Sequence, residues 1–255
     1  MGNKKAVFVL SSLLQLWRRL LGRLMPYDLY ERHAVVSQLL RTRLGDAAQV
    51  RILDVGGRSD LLERFLDYRV VSVNPDGSGD LAGSGFALPF ADGSFNAVVS
   101  IDTLEHLPRE KRSPFLRECL RVARHYLLVA APLGGEAHRA HEERLDRLYR
   151  AVCGEPHLYL GEHVRFGLPD IFELDQLASD LPVAESWRLY AGDYVWQGKQ
   201  FERAISGHQR RGLVARLVNL FHHVASWAIF HPVRLSDQPE ATTNRFYWLM
   251  ERAIT

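Results

Sequence analysis

The fold is decided by residues 50–57, V-R-I-L-D-V-G-G, in which a short apolar run ends in two glycines. A run of this length and composition is typical of a buried strand, and similar runs follow at residues 69–73, 95–101 and 126–131. Residues 60–67 and 108–125, which lie between these runs, are predicted to be helices. Continuous apolar strands separated by helices indicate a parallel sheet covered on both faces. We therefore predict a doubly wound α/β domain that binds its ligand at the carboxyl ends of the strands.

The composition of the chain is that of an ordinary globular protein. Of its 255 residues, 47% are hydrophobic and 24% are charged, which argues against disorder or a coiled coil. No apolar run reaches the roughly 18 residues that a membrane-spanning helix requires. Cys119 and Cys153 are the two cysteines, too few for a disulfide framework, so we expect a reducing, cytoplasmic location.

The glycine turn after the first strand narrows the choice of ligand. A dinucleotide fingerprint needs G-x-G-x-x-G, and Arg58 stands where its second glycine is required. The chain also lacks the G-x-x-x-x-G-K-[ST] pattern of a phosphate-binding loop. These absences argue against a nicotinamide-dependent oxidoreductase and a nucleotide hydrolase. The acidic residue ahead of the turn, Asp54, suits a cationic ligand instead.

Four segments in fixed order extend this pattern: residues 52–57 (I-L-D-V-G-G), 88–95 (L-P-F-A-D-G-S-F), 102–108 (D-T-L-E-H-L-P) and 120–123 (L-R-V-A). With them, the sequence resembles the class I S-adenosylmethionine-dependent methyltransferases over about residues 27–169 and the last strand. The resemblance implies a mostly parallel, Rossmann-like sheet of seven strands with a final antiparallel strand, which residues 244–253 would supply. It also implies S-adenosylmethionine as the cofactor.

Carried over position by position, the resemblance assigns a set of cofactor-binding residues. Asp54 and Gly56 would bracket the methionine part of the cofactor, and Gly57 belongs to the same turn. Asn74 occupies the usual place of an acidic residue that binds the ribose, with Asp76 two positions later. On the adenine side, Ser84 replaces the usual aspartate and is followed by Gly85. These departures leave a second interpretation open, a catalytically inactive methyltransferase-like binding or scaffold protein.

The acceptor side has its own candidates. Asp102, Glu105 and His106 follow the strand at residues 95–101, where the family places the acceptor, and we predict catalytic roles for Asp102 and His106. The alternative is structural, because D-T-L-E also matches a capping box at a helix start. His163 is a further candidate for the general base, because imidazole titrates near neutral pH.

Histidines and glutamates are concentrated between residues 138 and 163. Six of them offer metal-ligand side chains: His138, His141, Glu142, His157, Glu162 and His163. Their spacing does not match H-E-x-x-H, and no cysteine pair accompanies them, so we predict no metal. We expect residues 153–169 to form a loop that covers the acceptor.

The chemistry predicted from these features is methyl transfer to a small molecule. Motifs of DNA amino-methylating enzymes and of cytosine-C5 enzymes are absent, and the predicted catalytic core lacks base-stacking and phosphate-tracking features, so we expect no nucleic-acid partner. We therefore expect O-methylation of a small-molecule, glycan or lipid-linked acceptor. A homodimer is left open.

Two basic amphipathic segments flank an acidic stretch of the chain: a predicted N-terminal helix ahead of the predicted domain (residues 28–255) and an insertion before the last strand of that domain. Residues 1–27 contain five basic and no acidic residues, and residues 199–235, a predicted helical insertion, contain six basic residues and one acidic residue. Residues 28–198 contain 19 basic and 26 acidic residues, so the net charge of +2 conceals an acidic body. The basic segments either pack on the domain or bind an anionic membrane surface.

Overall fold

The computed structural model describes residues 25–45, 49–208 and 233–253, together with positions 217, 220, 221 and 224. The predicted N-terminal helix and most of the predicted insertion therefore lie outside the described residues. None of the helices within these ranges is long and apolar enough to cross a membrane.

Seven strands form one sheet in the described part of the chain. They are β1 (Arg51–Val55), β2 (Arg69–Asn74), β3 (Leu81–Ala82), β4 (Phe95–Ile101), β5 (Ala123–Pro132), β6 (Val183–Asp193) and β7 (Thr243–Arg252). Their order across the sheet is β3-β2-β1-β4-β5-β7-β6. β7 runs antiparallel to both of its neighbours, and the other pairs are parallel. The doubly wound α/β fold with an antiparallel last strand is thus confirmed.

Helices cover both faces of the sheet and its carboxyl edge. They are α1 (Tyr27–Leu44), α2 (Arg109–Val122), α3 (Glu136–Cys153), α4 (Leu158–Phe166), α5 (Ile171–Asp180) and α6 (Tyr194–His208), with single 3-10 turns at Leu62–Arg64 and Leu104–His106. Asp170 caps α5: its Oδ1 accepts a hydrogen bond from the Glu173 amide at 2.8 Å.

The apolar strands are buried on both sides because alternate residues face two separate cores. On one face, Leu127 of β5 joins Leu116 of α2 and Leu174 of α5. On the other face, the next residue, Leu128, belongs to the same core as Val36 of α1. This two-sided burial explains why the strands are continuously apolar instead of alternating.

The structure corrects two predicted elements. Residues 153–169 are not simply a loop, because α4 occupies their centre. An unusual cap conceals this helix in the sequence: the His157 imidazole accepts from the Leu160 amide at 3.3 Å, and Gly167 ends the helix with a φ of 73°. The helix expected at residues 60–67 is reduced to the turn Leu62–Arg64, preceded by Asp60 with a φ of 70°.

Candidate active site

The turn after β1 accepts only glycine at two successive positions. Gly56 has a φ of 87°, and a Cβ atom there would collide with the Thr103 hydroxyl. At Gly57, a Cβ atom would collide with the carboxylate of Asp54. The backbone of the turn therefore lies directly against the Asp54 side chain and the segment that follows β4.

Asp54, at the heart of this turn, is a buried acid with an unused acceptor. The residue is 1% exposed, and its Oδ1 has no hydrogen-bond partner among the described residues. Burial, and to a smaller extent the nearby Asp80, raise its pKa to about 7. An orphaned carboxylate oxygen behind a side-chain-free turn fits the amino group of an amino-acid-derived cofactor such as S-adenosylmethionine. On this observation, the residues present fit the methionine end of that cofactor.

The residues predicted to bind the nucleoside part of the cofactor differ in how close they lie to the glycine turn. The Asn74 amide donates to the Gly56 carbonyl at 3.0 Å, so this residue holds the glycine turn in place. Asp76 is exposed and accepts from the Ser78 amide at 2.8 Å. Ser84 accepts from the Phe86 amide at 3.2 Å, and a Cβ at the following Gly85 would collide with a neighbouring ring. Asn74, at the end of β2, therefore contacts the glycine turn through its side chain, and Asp76 lies on an outer loop.

Sequence reasoning missed Asp80, which organises this region. Its carboxylate accepts from the Ser72 amide at 2.8 Å and from the Ser59 hydroxyl at 2.6 Å. These bonds lower the Asp80 pKa, with the Ser59 bond contributing most. They tie the loop that follows the glycine turn to β2. No motif marks Asp80, because it lies in a loop between strands.

Asp102 lies between two arginines and does not cap a helix. Its carboxylate forms ion pairs with Arg32 of α1 and with Arg245 of β7. The 3-10 turn that follows has Thr103 at its N-cap position and no side-chain cap, so the capping-box interpretation is wrong. The two guanidinium groups provide stronger partners for the carboxylate than a backbone amide does. Arg32 and Arg245 are distant in sequence, which is why the pattern did not reveal them.

The histidines predicted on the acceptor side converge on one cluster. The rings of His106 and His163 lie in contact at a tilt of 38°, with their centroids 4.8 Å apart, and His106 Nδ1 lies 2.8 Å from Glu162 Oε2. The carboxylate of Glu142 lies 3.1 Å from Nδ1 of His163. Glu105 completes the group; its side chain is buried, and Oε1 lies 4.0 Å from His106 Nε2. We call Glu105, His106 and His163 the His–Glu cluster.

The two histidines of the cluster have different electrostatic environments. Burial lowers the pKa of His106 to about 4, and the neighbouring His163 adds to this effect. Burial also acts to lower the pKa of His163, but the hydrogen bond and charge of Glu142 outweigh it, and the net shift is upward. Burial raises the pKa of Glu105.

A buried arginine, Arg112, connects the two segments that carry the His–Glu cluster. Arg112 is 1% exposed, and its Nη1 donates to both carboxylate oxygens of Glu173 at 2.9 Å. Its Nε donates to the carbonyls of Leu104 and Leu107 at 3.1 Å, and its Nη2 donates to the Phe166 carbonyl at 3.3 Å. The turn that carries Glu105 and His106 is thereby tied to the end of α4, which carries Glu162 and His163.

A cavity of about 370 Å³ lies between α3, α6 and the start of α1. Glu142 lines it and also contacts His163, so the cavity borders the His–Glu cluster. His138 lines it as well, and its ring stacks on Tyr194 at 4.2 Å. The lining combines rings, polar groups and aliphatic surface: Tyr27, His138, His141, Tyr194, Trp196 and Phe201, the amides Gln197, Gln200 and Asn244, the carboxylates Asp28 and Glu142, and Pro26, Leu145, Leu160 and Ala204. Sequence reasoning missed its aromatic members, which lie on two helices far apart in the chain.

Comparison with known proteins agrees with this architecture. Residues 58–126 match the family model described as a methyltransferase domain. No curated protein matches the sequence.

Two of the solved structures with similar folds are methyltransferases by name. A proposed sarcosine dimethylglycine methyltransferase from Galdieria sulphuraria has a TM-score of 0.52 at 14% identity, over 86% of each chain. Phosphoethanolamine N-methyltransferase 2 from Haemonchus contortus, in complex with phosphomonomethylethanolamine and S-adenosylhomocysteine, has a TM-score of 0.51 at 11% identity. That match covers 86% of this chain and 53% of the other. At these identities, the likeness is one of fold.

The sheet order is that of the doubly wound α/β class, and residues 58–126, which follow the glycine turn after β1, match a methyltransferase domain.

Proposed function

We propose that the protein transfers the methyl group of S-adenosylmethionine to a hydroxyl of an uncharged, carbohydrate-like acceptor, either free or as part of a glycan or lipid-linked intermediate. The observation that carries this proposal is the His163–Glu142 pair at the border of the cavity, with Nδ1 held by the carboxylate at 3.1 Å. Nε2 of the same ring is buried and has no hydrogen-bond partner among the described residues.

The cofactor supplies an electrophilic methyl group on a sulfonium that is already a good leaving group. The chain's contribution is therefore mainly positioning. Asp54 would bind the cofactor's amino group, and Gly56 and Gly57 would let its backbone approach closely. Asn74 would keep the turn in shape and present its amide oxygen on the ribose side, with Ser84 and Gly85 on the adenine side.

The character of the cavity supports an uncharged acceptor that carries several hydroxyls. Its described lining contains no lysine or arginine and includes Asp28 and Glu142, which would repel a phosphate or carboxylate. Aromatic rings offer flat apolar surfaces, and the three amides both donate and accept hydrogen bonds. A volume of about 370 Å³ lies within the range of small-molecule sites.

A hydroxyl acceptor needs a group that removes its proton during transfer. We assign this role to Nε2 of His163, with Glu142 fixing the tautomer and the orientation of the ring. His106 packs against the His163 ring and would hold it in place. The ion pairs of Asp102 with Arg32 and Arg245 support a positioning role for Asp102 at the edge of the site, instead of a role as the base.

One observation favours the second candidate function, a methyltransferase-like protein without catalysis. Asn74 carries no charge for the ribose and uses its amide on the glycine turn. Such a protein would lack measurable methyl transfer to any acceptor, so the assay for activity also separates the two candidates.

The test uses tritiated S-adenosylmethionine and a panel of p-nitrophenyl glycosides as acceptors. We expect label in at least one glycoside as a base-stable ether. The His163→Ala variant should lose about a hundredfold or more in kcat while retaining affinity for S-adenosylhomocysteine. His125→Ala, at an exposed position on β5, is the matched control. Full turnover by His163→Ala would exclude the assigned base, and transfer confined to amino-sugar nitrogens would contradict O-methylation.

A further inference from the structure

Carboxylates lie beside both histidines of the His–Glu cluster. Nδ1 of His163 is hydrogen-bonded to Glu142 at 3.1 Å, whereas Nδ1 of His106 lies 2.8 Å from Glu162 without forming a hydrogen bond. In proteins that bind metals through histidine, a carboxylate on the second ring nitrogen commonly fixes the tautomer and raises the basicity of the ligand nitrogen. His163 has this arrangement, and Glu162 lies close enough to His106 to provide it there.

The cluster brings three potential metal ligands close together. One ligand atom from each of Glu105, His106 and His163 lies within 4.8 Å of the other two. Three atoms that bind one cation at about 2.0–2.2 Å lie about 3.3–3.6 Å apart, so the three side chains would have to close on the cation by about 1 Å.

Three atoms of the cluster are buried without a hydrogen-bond partner among the described residues: Glu105 Oε2, His106 Nδ1 and His163 Nε2. A buried carboxylate oxygen without a hydrogen bond is costly, and Glu105 is 1% exposed. The strongest charge interaction of Glu105 is with His163, and the two arginines that also act on it, Arg32 and Arg245, are already ion-paired with Asp102. A cation bound to Oε2 of Glu105 and Nε2 of His163 would satisfy both of these atoms.

We propose that Glu105, His106 and His163 bind one divalent transition-metal cation. Two imidazoles and one carboxylate form a donor set that suits Zn²⁺, Mn²⁺, Fe²⁺ or Co²⁺ better than the all-oxygen preference of Mg²⁺ or Ca²⁺. Three protein ligands leave coordination positions open for water or for an acceptor hydroxyl.

This site was not predicted from the sequence, in which the His-x-x-His-Glu spacing at residues 138–142 argued against metal. The ligands come instead from the E-H pair after β4 and from His163 on α4, which are more than 50 residues apart. The fold brings them together, and Arg112 ties their two segments. Of the histidines in the earlier set, only His163 belongs to the proposed site.

Cation binding at this site does not depend on the proposed function. Only the role of the cation in methyl transfer rests on that function. With a cation bound, His163 would be a ligand and not the base; coordination to the cation would lower the pKa of an acceptor hydroxyl, and its proton would pass to solvent water. The role of His163 would then be to hold the cation.

The binding test titrates Co²⁺ and Zn²⁺ into full-length protein that has been stripped with EDTA and dialysed, using visible absorbance for Co²⁺ and calorimetry for Zn²⁺. We expect one cation per chain. Loss of a carboxylate behind a histidine, Glu142→Gln or Glu162→Gln, should weaken binding by about 10- to 100-fold. Loss of a ligand, in Glu105→Gln, His106→Ala or His163→Ala, should weaken it further.

The controls are His125→Ala and Glu185→Gln, which change exposed residues of the same types on β5 and β6 and should bind as the wild type does. Thermal unfolding identifies any variant that fails to fold, and His163→Gln then replaces His163→Ala. Equal cation binding by the wild type and the three ligand variants would overturn the site.

Turnover separates this inference from the proposed function. The stripped protein should lose methyl transfer and regain it with Zn²⁺ or Co²⁺. Full activity of the stripped protein would overturn the role of the cation and leave His163 as the base. Stoichiometric cation binding without any methyl transfer would instead leave the site standing and contradict the proposed function.

Discussion

At the scale of single residues, Asp54 in the glycine turn lowers the stability of the folded chain. Asp54 is buried without a partner for one oxygen, and its pKa is raised to about 7. Its carboxylate binds protons more tightly in the folded chain than in the unfolded chain. Folding stability therefore falls as the pH rises from the unfolded pKa, near 4, towards 7. A residue kept at this cost is expected to serve the ligand.

Asp54→Asn tests this cost. The variant lacks the titrating group, so we expect it to be more stable than the wild type at pH 8, by up to about 4 kcal/mol, and to differ much less at pH 4. Urea denaturation at both pH values measures the difference. A stability gap that is the same at pH 4 and pH 8 would show that the Asp54 carboxylate does not titrate in the way described.

The sequence predicted part of the candidate active site. Asp54, Gly56, Gly57, His106 and His163 were named from sequence because motifs and resemblance mark them. Their partners were harder to predict, because no local pattern pairs His163 with Glu142, 21 residues earlier, or Asp102 with Arg245, 143 residues later. Contacts of this kind follow from the tertiary fold.

At the scale of elements, the α2–α5 contact holds the acceptor side together. Arg112 of α2 is paired with Glu173 of α5 and also binds carbonyls at both ends of the segments that carry the His–Glu cluster. Both charged groups are buried, so the pair stabilises the fold only while it is intact.

Arg112→Met should destabilise the protein by about 3–5 kcal/mol, because it leaves Glu173 buried with only the half-exposed Arg109 nearby. The double variant Arg112→Met/Glu173→Leu should recover part of this loss, because it also removes the uncompensated charge. Chemical denaturation of the two variants and the wild type provides the measurement. A loss below about 1 kcal/mol in the single variant would contradict the role given to the pair.

The sequence predicted the central strands correctly but missed β3 and α4, and the reasons are physical. The central strands β1, β4 and β5 were recognised because burial on both faces makes them continuously apolar. Strand β3 has only two residues, too few to form a recognisable pattern in the sequence. Helix α4 was missed because a histidine provides its cap, in place of the usual serine, threonine, aspartate or asparagine.

At the scale of the whole molecule, charge is distributed unevenly along the chain. The acidic body, residues 28–198, suits a cationic cofactor and an uncharged acceptor. The basic segments at residues 1–27 and 199–235 would suit an anionic surface, and we propose that they hold the protein peripherally on an anionic membrane.

Vesicle flotation tests the membrane proposal. The protein should float with vesicles that contain phosphatidylglycerol and remain at the bottom of the gradient with purely zwitterionic vesicles, because attraction between basic residues and anionic lipid drives binding. Higher salt should release it. The triple variant Arg18→Gln/Arg19→Gln/Arg23→Gln should float less. Absence of the wild type from the floated fraction at low salt would contradict peripheral binding.

The most direct test of the central claim is calorimetric titration of the full chain with S-adenosylhomocysteine. We predict saturable binding of one molecule per chain. Binding should be weakened at least about tenfold in Gly57→Ala, whose Cβ would displace the Asp54 carboxylate from the turn. The control Gly135→Ala adds its Cβ where no atom lies within 4 Å and should bind as the wild type does. No detectable binding by the wild type at millimolar S-adenosylhomocysteine would contradict a functional cofactor site at this turn.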